Sequence, residues 1–135
     1  MKTFSNINAT SPEDGARRAA DLRKKGSRAV FVGGGSDVLA LVKDRIVAPD
    51  VLVNLKRMSG QGITPRARGG GVVIGGQVTL DALARHELIR RDYPLLAQAA
   101  ESVATPQIRN VATLAGNVCQ RPWCWYYRNG FPCYK

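Results

Sequence analysis

A short apolar run, Arg28-Ala29-Val30-Phe31-Val32, stops at three consecutive glycines, Gly33 to Gly35, followed by Ser36 and Asp37. That stop constrains the fold more than any other stretch of the chain. β-Branched and aromatic residues in a run of this length read as a strand. Successive glycines end it and let the backbone approach a neighbour or a ligand, because no Cβ stands in the way. The amides of such a turn, with those opening the helix-like run Val38 to Val42, make a cradle suited to phosphate, and Ser36 adds a hydroxyl. Neither familiar phosphate motif is present. There is no G-x-x-x-x-G-K-[ST], and Val38 stands where the last glycine of G-x-G-x-x-G would fall. Taken alone, the loop reads as a tight turn or as an anion site.

The elements around it alternate. Ser11 caps a helix with Pro12 at its first position and Glu13 and Asp14 in its first turn, running to Lys25 and stopping at Gly26. Pro49-Asp50 marks a turn before a second strand, Val51 to Leu55. Gly69-Gly70-Gly71 breaks the chain like a hairpin ahead of a third strand, Val72 to Val78. Thr79 caps a helix carrying Leu80, Leu83, Ala84 and Leu88 at helical spacing. A last helix is expected from Tyr93 to Val103, with Leu95, Leu96, Ala99, Ala100 and Val103 inward. His86 falls in the middle of the Thr79 helix and reads as a solvated surface residue. The pattern is a small α+β domain, without internal repeats or low-complexity tracts.

Composition narrows the function classes. The chain has 135 residues, 44% of them hydrophobic, which suffices for a real core. No apolar run approaches the ~20 residues of a membrane span, and the opening MKTFSNINAT lacks the apolar segment of a secretory signal. A cytoplasmic location is the expectation, or a periplasmic one through export with a partner subunit; no membrane partner is expected. The formal charge of +10 comes from 20 basic and 10 acidic residues. It keeps open a basic, non-enzymatic module for nucleic acid or an anionic protein partner. The basic residues are scattered, however, and several sit near helix C-termini where the helix dipole favours them, so nucleic acid is not the expected partner. All three cysteines, Cys119, Cys124 and Cys133, lie in the last 17 residues. An odd count beside clustered aromatics argues against a disulfide scaffold and leaves metal or cluster ligation or free thiols.

Thr105 to Tyr127 reads TPQIRNVATLAGNVCQRPWCWYY, dense in amides and small residues. Donors suit a diphosphate, Gly116 permits close approach, and an amide such as Asn117 reaches ring heteroatoms. The plainer reading of Arg109 is a structural ion pair, and of Asn110 a turn or cap residue. In order, VGGGSDVLALVK, VLVNL, IGGQVTLDAL and ATPQIRNVATLAGNVCQRP resemble the FAD-binding subunit of the molybdenum hydroxylases. That family includes xanthine dehydrogenase, carbon monoxide dehydrogenase and aldehyde oxidoreductases. The resemblance covers about Val30 to Lys135, and its most specific part is I-R-N-x-A-T-x-x-G-N, Ile108 to Asn117.

The resemblance implies the N-terminal part of an FAD-binding PCMH-type (vanillyl-alcohol-oxidase-like) domain over residues 1–118, with a cysteine and aromatic loop beginning at 119–135. Val32, Gly33, Gly34, Gly35, Ser36 and Asp37 would hold the FAD pyrophosphate. Thr105, Ile108, Arg109, Asn110, Thr113, Gly116 and Asn117 would form the second FAD segment. Ala115 departs from the Gly-Gly-Asn of many relatives and is expected to shift the loop at most. A subset of the family carries a [4Fe–4S] loop, onto which Cys124 and Cys133 map as metal ligands; Cys119 falls where relatives often have Leu. The implied partners are a molybdopterin-binding large subunit and a [2Fe–2S] small subunit. The implied role is an oxidoreductase subunit that relays electrons through FAD to NAD⁺ or another acceptor. Catalytic acids, bases or nucleophiles are not expected. Subunits of this family are longer, so the chain reads as an N-terminal fragment.

Overall fold

A computed structural model describes residues 2–58 and 62–132. Strands β1 (Ser5–Asn8), β2 (Ala29–Val32) and β3 (Val51–Asn54) form a parallel sheet in the order β1-β3-β2. Val51, Leu52 and Val53 of the central strand are all buried, as a parallel strand covered on both faces requires. Asn8, Asn54 and Val32 lie opposite one another, so the three strands end level. Helix α1 (Pro12–Lys24) joins the first two strands. Ser11 Oγ accepts from the Asp14 amide at its start, and Gly26 leaves its end at φ 78°. Its buried Gly15 and Ala19 face the sheet, where Ala9, Ala19, Ala29 and Val53 form one core cluster. Helix α2 (Val38–Lys43) connects β2 to β3.

The second half is helical. An antiparallel pair, β4 (Ile63–Pro65) and β5 (Val72–Ile74), leads into α3 (Leu80–Arg85), α4 (Glu87–Asp92) and α5 (Pro94–Ser102). Short helices α6 (Pro106–Arg109), α7 (Leu114–Cys119) and α8 (Trp125–Arg128) follow. Val78, Leu83, Ala84, Ile89, Ala97 and Ala100 make the second core cluster, with Leu88, Leu96 and Tyr93 packed against it. The architecture is α+β.

The sequence expectations need several corrections. Strand β1 was not foreseen, because SNIN offers one apolar residue and its pairing comes from β3 rather than from its own pattern. Strand β4 was likewise absent from the expectation, which held only the hairpin-like break at Gly69 to Gly71 and the strand after it. The strand expected to reach Val78 ends at Ile74, where Gly75 makes one last bond to the Gly62 carbonyl and the chain turns. The single helix expected after Thr79 breaks at His86 (φ −68°, ψ 125°) into α3 and α4. The break turns Ile89 fully into the core. His86 is therefore half-buried between two helices rather than solvated in the middle of one, and its Nδ1 is buried with no hydrogen-bond partner. Leu95 and Ala99 face outward, Leu95 being 79% exposed; α5 buries Ala97 and Ala100 instead.

Candidate functional site

The glycine loop leaves the sheet at the carboxyl ends of its strands, where ligands of open α/β sheets gather. The amides of Gly33, Gly34, Gly35 and Ser36 donate to no acceptor among the described residues, although all four residues are half-buried. Partly buried backbone donors ordinarily find a partner in protein, water or ligand. This row of free amides is the donor set a diphosphate takes, so the residues present fit that group.

The loop does not stand alone. A Cβ built on Gly34 would lie 1.7 Å from the Val111 carbonyl oxygen, and one on Gly33 would lie 2.7 Å from Thr113 Oγ1. The glycines are thus required by close approach of the Thr105–Asn117 segment, a reason additional to ligand access. Gly35 adopts φ 88°, a backbone region that other residues rarely enter.

Thr113, 4% exposed, is the pivot of that second segment. Its Oγ1 caps α7 by accepting from the Gly116 amide at 3.2 Å. Its backbone forms a bridge opposite Thr79, which caps α3 by accepting from the Ala82 amide. The Leu80 amide donates to the Ala112 carbonyl and the Leu114 amide to the Val78 carbonyl, locking the start of α7 beside the start of α3.

The remaining foreseen residues divide. Thr105 caps α6 by accepting from the Ile108 amide, and Ile108 is 38% exposed. Among the described residues Arg109 makes no ion pair; Nη1 donates to the Val103 and Ala104 carbonyls at 2.9 and 3.3 Å, sealing the end of α5. Asn110 occupies the C-cap of α6, the plainer of its two readings. Gly116 is exposed, and Asn117 Oδ1 accepts from Gln120 Nε2 at 3.2 Å. Ala115 is accommodated because residue 76 is glycine: a Cβ there would come within 3.1 Å of the Ala115 methyl. Gly76, Val111 and Arg128 are parts of the site that sequence reasoning missed. For Gly76 the signal was present in IGGQV, but a glycine's partner across space cannot be read from one chain.

Asp37 was foreseen as the last residue of the pyrophosphate loop, with no role given to its carboxylate. Its carboxylate makes no cap to α2 and instead accepts from Arg128 Nη2 at 2.8 Å. Beyond it lies the aromatic tail. Trp125 stacks on Phe131 with centroids 5.7 Å apart, and Tyr126 meets both edge-on. Cys124 is half-buried at the cap of α8, and Cys119 ends α7 in solvent. Cys133 lies outside the described residues. Among the described residues no group of three or more His, Cys, Asp or Glu could hold a metal ion, and no helix is long and apolar enough to cross a membrane.

Comparison with known proteins agrees with this geometry. Residues 5–122 match the family described as the FAD binding domain in molybdopterin dehydrogenase. The chain is 36% identical, over its whole length, to 41% of an aldehyde oxidoreductase FAD-binding subunit from Escherichia coli. It is 33% identical over 80% of its length to 37% of the carbon monoxide dehydrogenase medium chain of Hydrogenophaga pseudoflava. A solved carbon monoxide dehydrogenase from the same organism superposes with a TM-score of 0.74 at 32% identity, over 85% of this chain and 39% of that one. Quinoline 2-oxidoreductase from Pseudomonas putida gives 0.75 at 28% identity, over 86% and 40%. The chain therefore spans about two fifths of the length of these relatives. With that family matched over residues 5–122 and 36% identity to a relative along the whole chain, the chain belongs to the family of FAD-binding domains in molybdopterin dehydrogenases.

Proposed function

We propose that the chain holds FAD where the glycine loop meets the Thr105–Asn117 segment, as part of an oxidoreductase subunit of the molybdenum hydroxylase type. The observation that carries this reading is the row of free, half-buried amides from Gly33 to Ser36 beside a second segment held by Thr113. When bound, FAD supplies the redox chemistry, and the protein supplies placement and electrostatics. The Gly33–Ser36 amides would receive the diphosphate without a competing internal acceptor. Thr113 fixes the approach of the second segment, and exposed Gly116 leaves room beside it. Asn117 has side-chain donors for ring heteroatoms.

In the same reading the complete subunit takes electrons from [2Fe–2S] clusters of a small subunit. It passes them to NAD⁺ or another acceptor, while a molybdopterin-binding large subunit oxidises the substrate. Cys124 and Cys133 would contribute to a [4Fe–4S] cluster. Such a cluster ordinarily takes four thiolates. With Cys119 set aside, two further ligands would have to come from outside these 135 residues. The proposed location is the cytoplasm.

The test is a titration of the purified chain with FAD, followed by quenching of flavin fluorescence and by the visible band after gel filtration. Saturable binding near one FAD per chain, with a dissociation constant of about 10 μM or below (roughly −7 kcal/mol), is expected. Binding to DNA that weakens steeply with salt, with no FAD retained, would replace this reading by that of a basic binding module.

A further inference from the structure

Arg128 and Asp37 stand 91 residues apart in sequence, yet they meet at 2.8 Å. Both side chains are withdrawn from water, 8% and 17% exposed. The Arg128 guanidinium lies 3.6 Å from the centre of the Trp123 ring, and its Nε donates to the Pro122 carbonyl at 3.3 Å. Its Nη1 is buried and donates to nothing in the structure. Among the described residues every other hydrogen bond of residues 120–132 is local, reaching no further back than Asn117. Among the described residues, then, this ion pair is the one hydrogen-bonded link between the cysteine-bearing tail and the body of the protein. It sits at the residue that directly follows the row of free amides.

The placement has an electrostatic consequence. A carboxylate beside an amide cradle repels a diphosphate, and a paired carboxylate repels it far less. The planar guanidinium suits the position because it can stack on Trp123 and bond Asp37 together, which a lysine ammonium cannot reproduce. We propose that Arg128 is a positioning residue: it holds the segment 122–131 against the glycine loop and neutralises Asp37, so that the loop can receive an anionic diphosphate. The second half of this statement rests on the assignment of FAD to the loop; the first half does not.

The two halves separate in one experiment on the full 135-residue chain. Amide hydrogen exchange and FAD titration are run on the wild type, on Arg128→Gln, on Arg128→Lys and on the Asp37→Asn/Arg128→Gln double variant. Arg128→Gln is expected to speed exchange across 122–131 by about tenfold while β3 and α3 stay protected, and to weaken FAD by about tenfold. Arg128→Lys should fall between it and the wild type on both readouts. The double variant should regain FAD affinity, its carboxylate being gone, while its tail stays loose; a purely structural role would not produce that split. Unchanged exchange in Arg128→Gln overturns the tether. Undiminished FAD binding, or a double variant as weak as the single, overturns the neutralisation. A wild type that binds no FAD while Arg128→Gln loosens the tail supports the tether and rejects the FAD assignment instead.

Discussion

Gly34 shows how one residue joins two parts of a site. With a Cβ built 1.7 Å from the Val111 carbonyl oxygen, alanine cannot be placed there without moving backbone. Overpacking of this kind costs about 1–3 kcal/mol, more when the obstacle is main chain. Gly34→Ala is therefore expected to lose at least about 3 kcal/mol in urea unfolding and to abolish FAD binding. Gly26→Ala is the converse control: Gly26 sits at φ 78°, which Gly34 does not share, and nothing lies within 4 Å of its Cβ. It should cost only about 1 kcal/mol, through backbone strain, and leave FAD binding intact. Equal effects of the two substitutions would remove the close approach as the reason for Gly34. The three glycines themselves were legible in the sequence. Their partner was not, because Val111 comes near only through the bridge between Thr79 and Thr113.

At the scale of elements, α1 is the part whose start and stop were plainest. Ser11, Pro12 and Gly26 do locally what their chemistry prescribes, and the structure agrees to within a residue. Asp14 adds a feature that the sequence only hinted at. The Arg18 guanidinium, bonded at 2.8 Å, is the main cause that lowers its carboxyl to about 2, with the Thr10 amide and Arg17 assisting. A carboxylate with a depressed folded pKa contributes stability above its unfolded value near 3.8, and that contribution is lost as pH falls toward 2. Asp14→Asn should consequently lower the melting temperature at pH 7, with the gap to wild type closing between pH 4 and pH 2. A gap that is constant over that range would assign the loss to helix capping alone. The α3–α4 break was illegible for the opposite reason. Nothing in Arg85-His86-Glu87 stops a helix, and only the burial of Ile89 in a shared core favours the kink.

For the molecule as a whole, one core cluster lies between α1 and the parallel sheet and another among α3, α4 and α5. The site falls where loops from the two halves touch, so a ligand held there stabilises both. At FAD concentrations a hundredfold above the dissociation constant, mass action adds about 2.7 kcal/mol, roughly a 10 °C rise in melting temperature for a chain of this size. Differential scanning fluorimetry with FAD, and with ADP to supply a diphosphate without the flavin, measures this. No shift with FAD at that excess would place the ligand elsewhere or remove it. By itself the sequence determined the glycine loop, the ends of α1, the cap at Thr79, and the ordered motifs of an FAD-binding family. Each of these rests on chemistry within a few residues of chain. Only the tertiary structure decided that a polar N-terminal stretch pairs as a strand, that the Thr79 helix bends at His86, and that Arg128 crosses 91 positions to Asp37. Those outcomes depend on which surfaces are brought together, and burial energy between distant segments leaves no periodicity in any one of them.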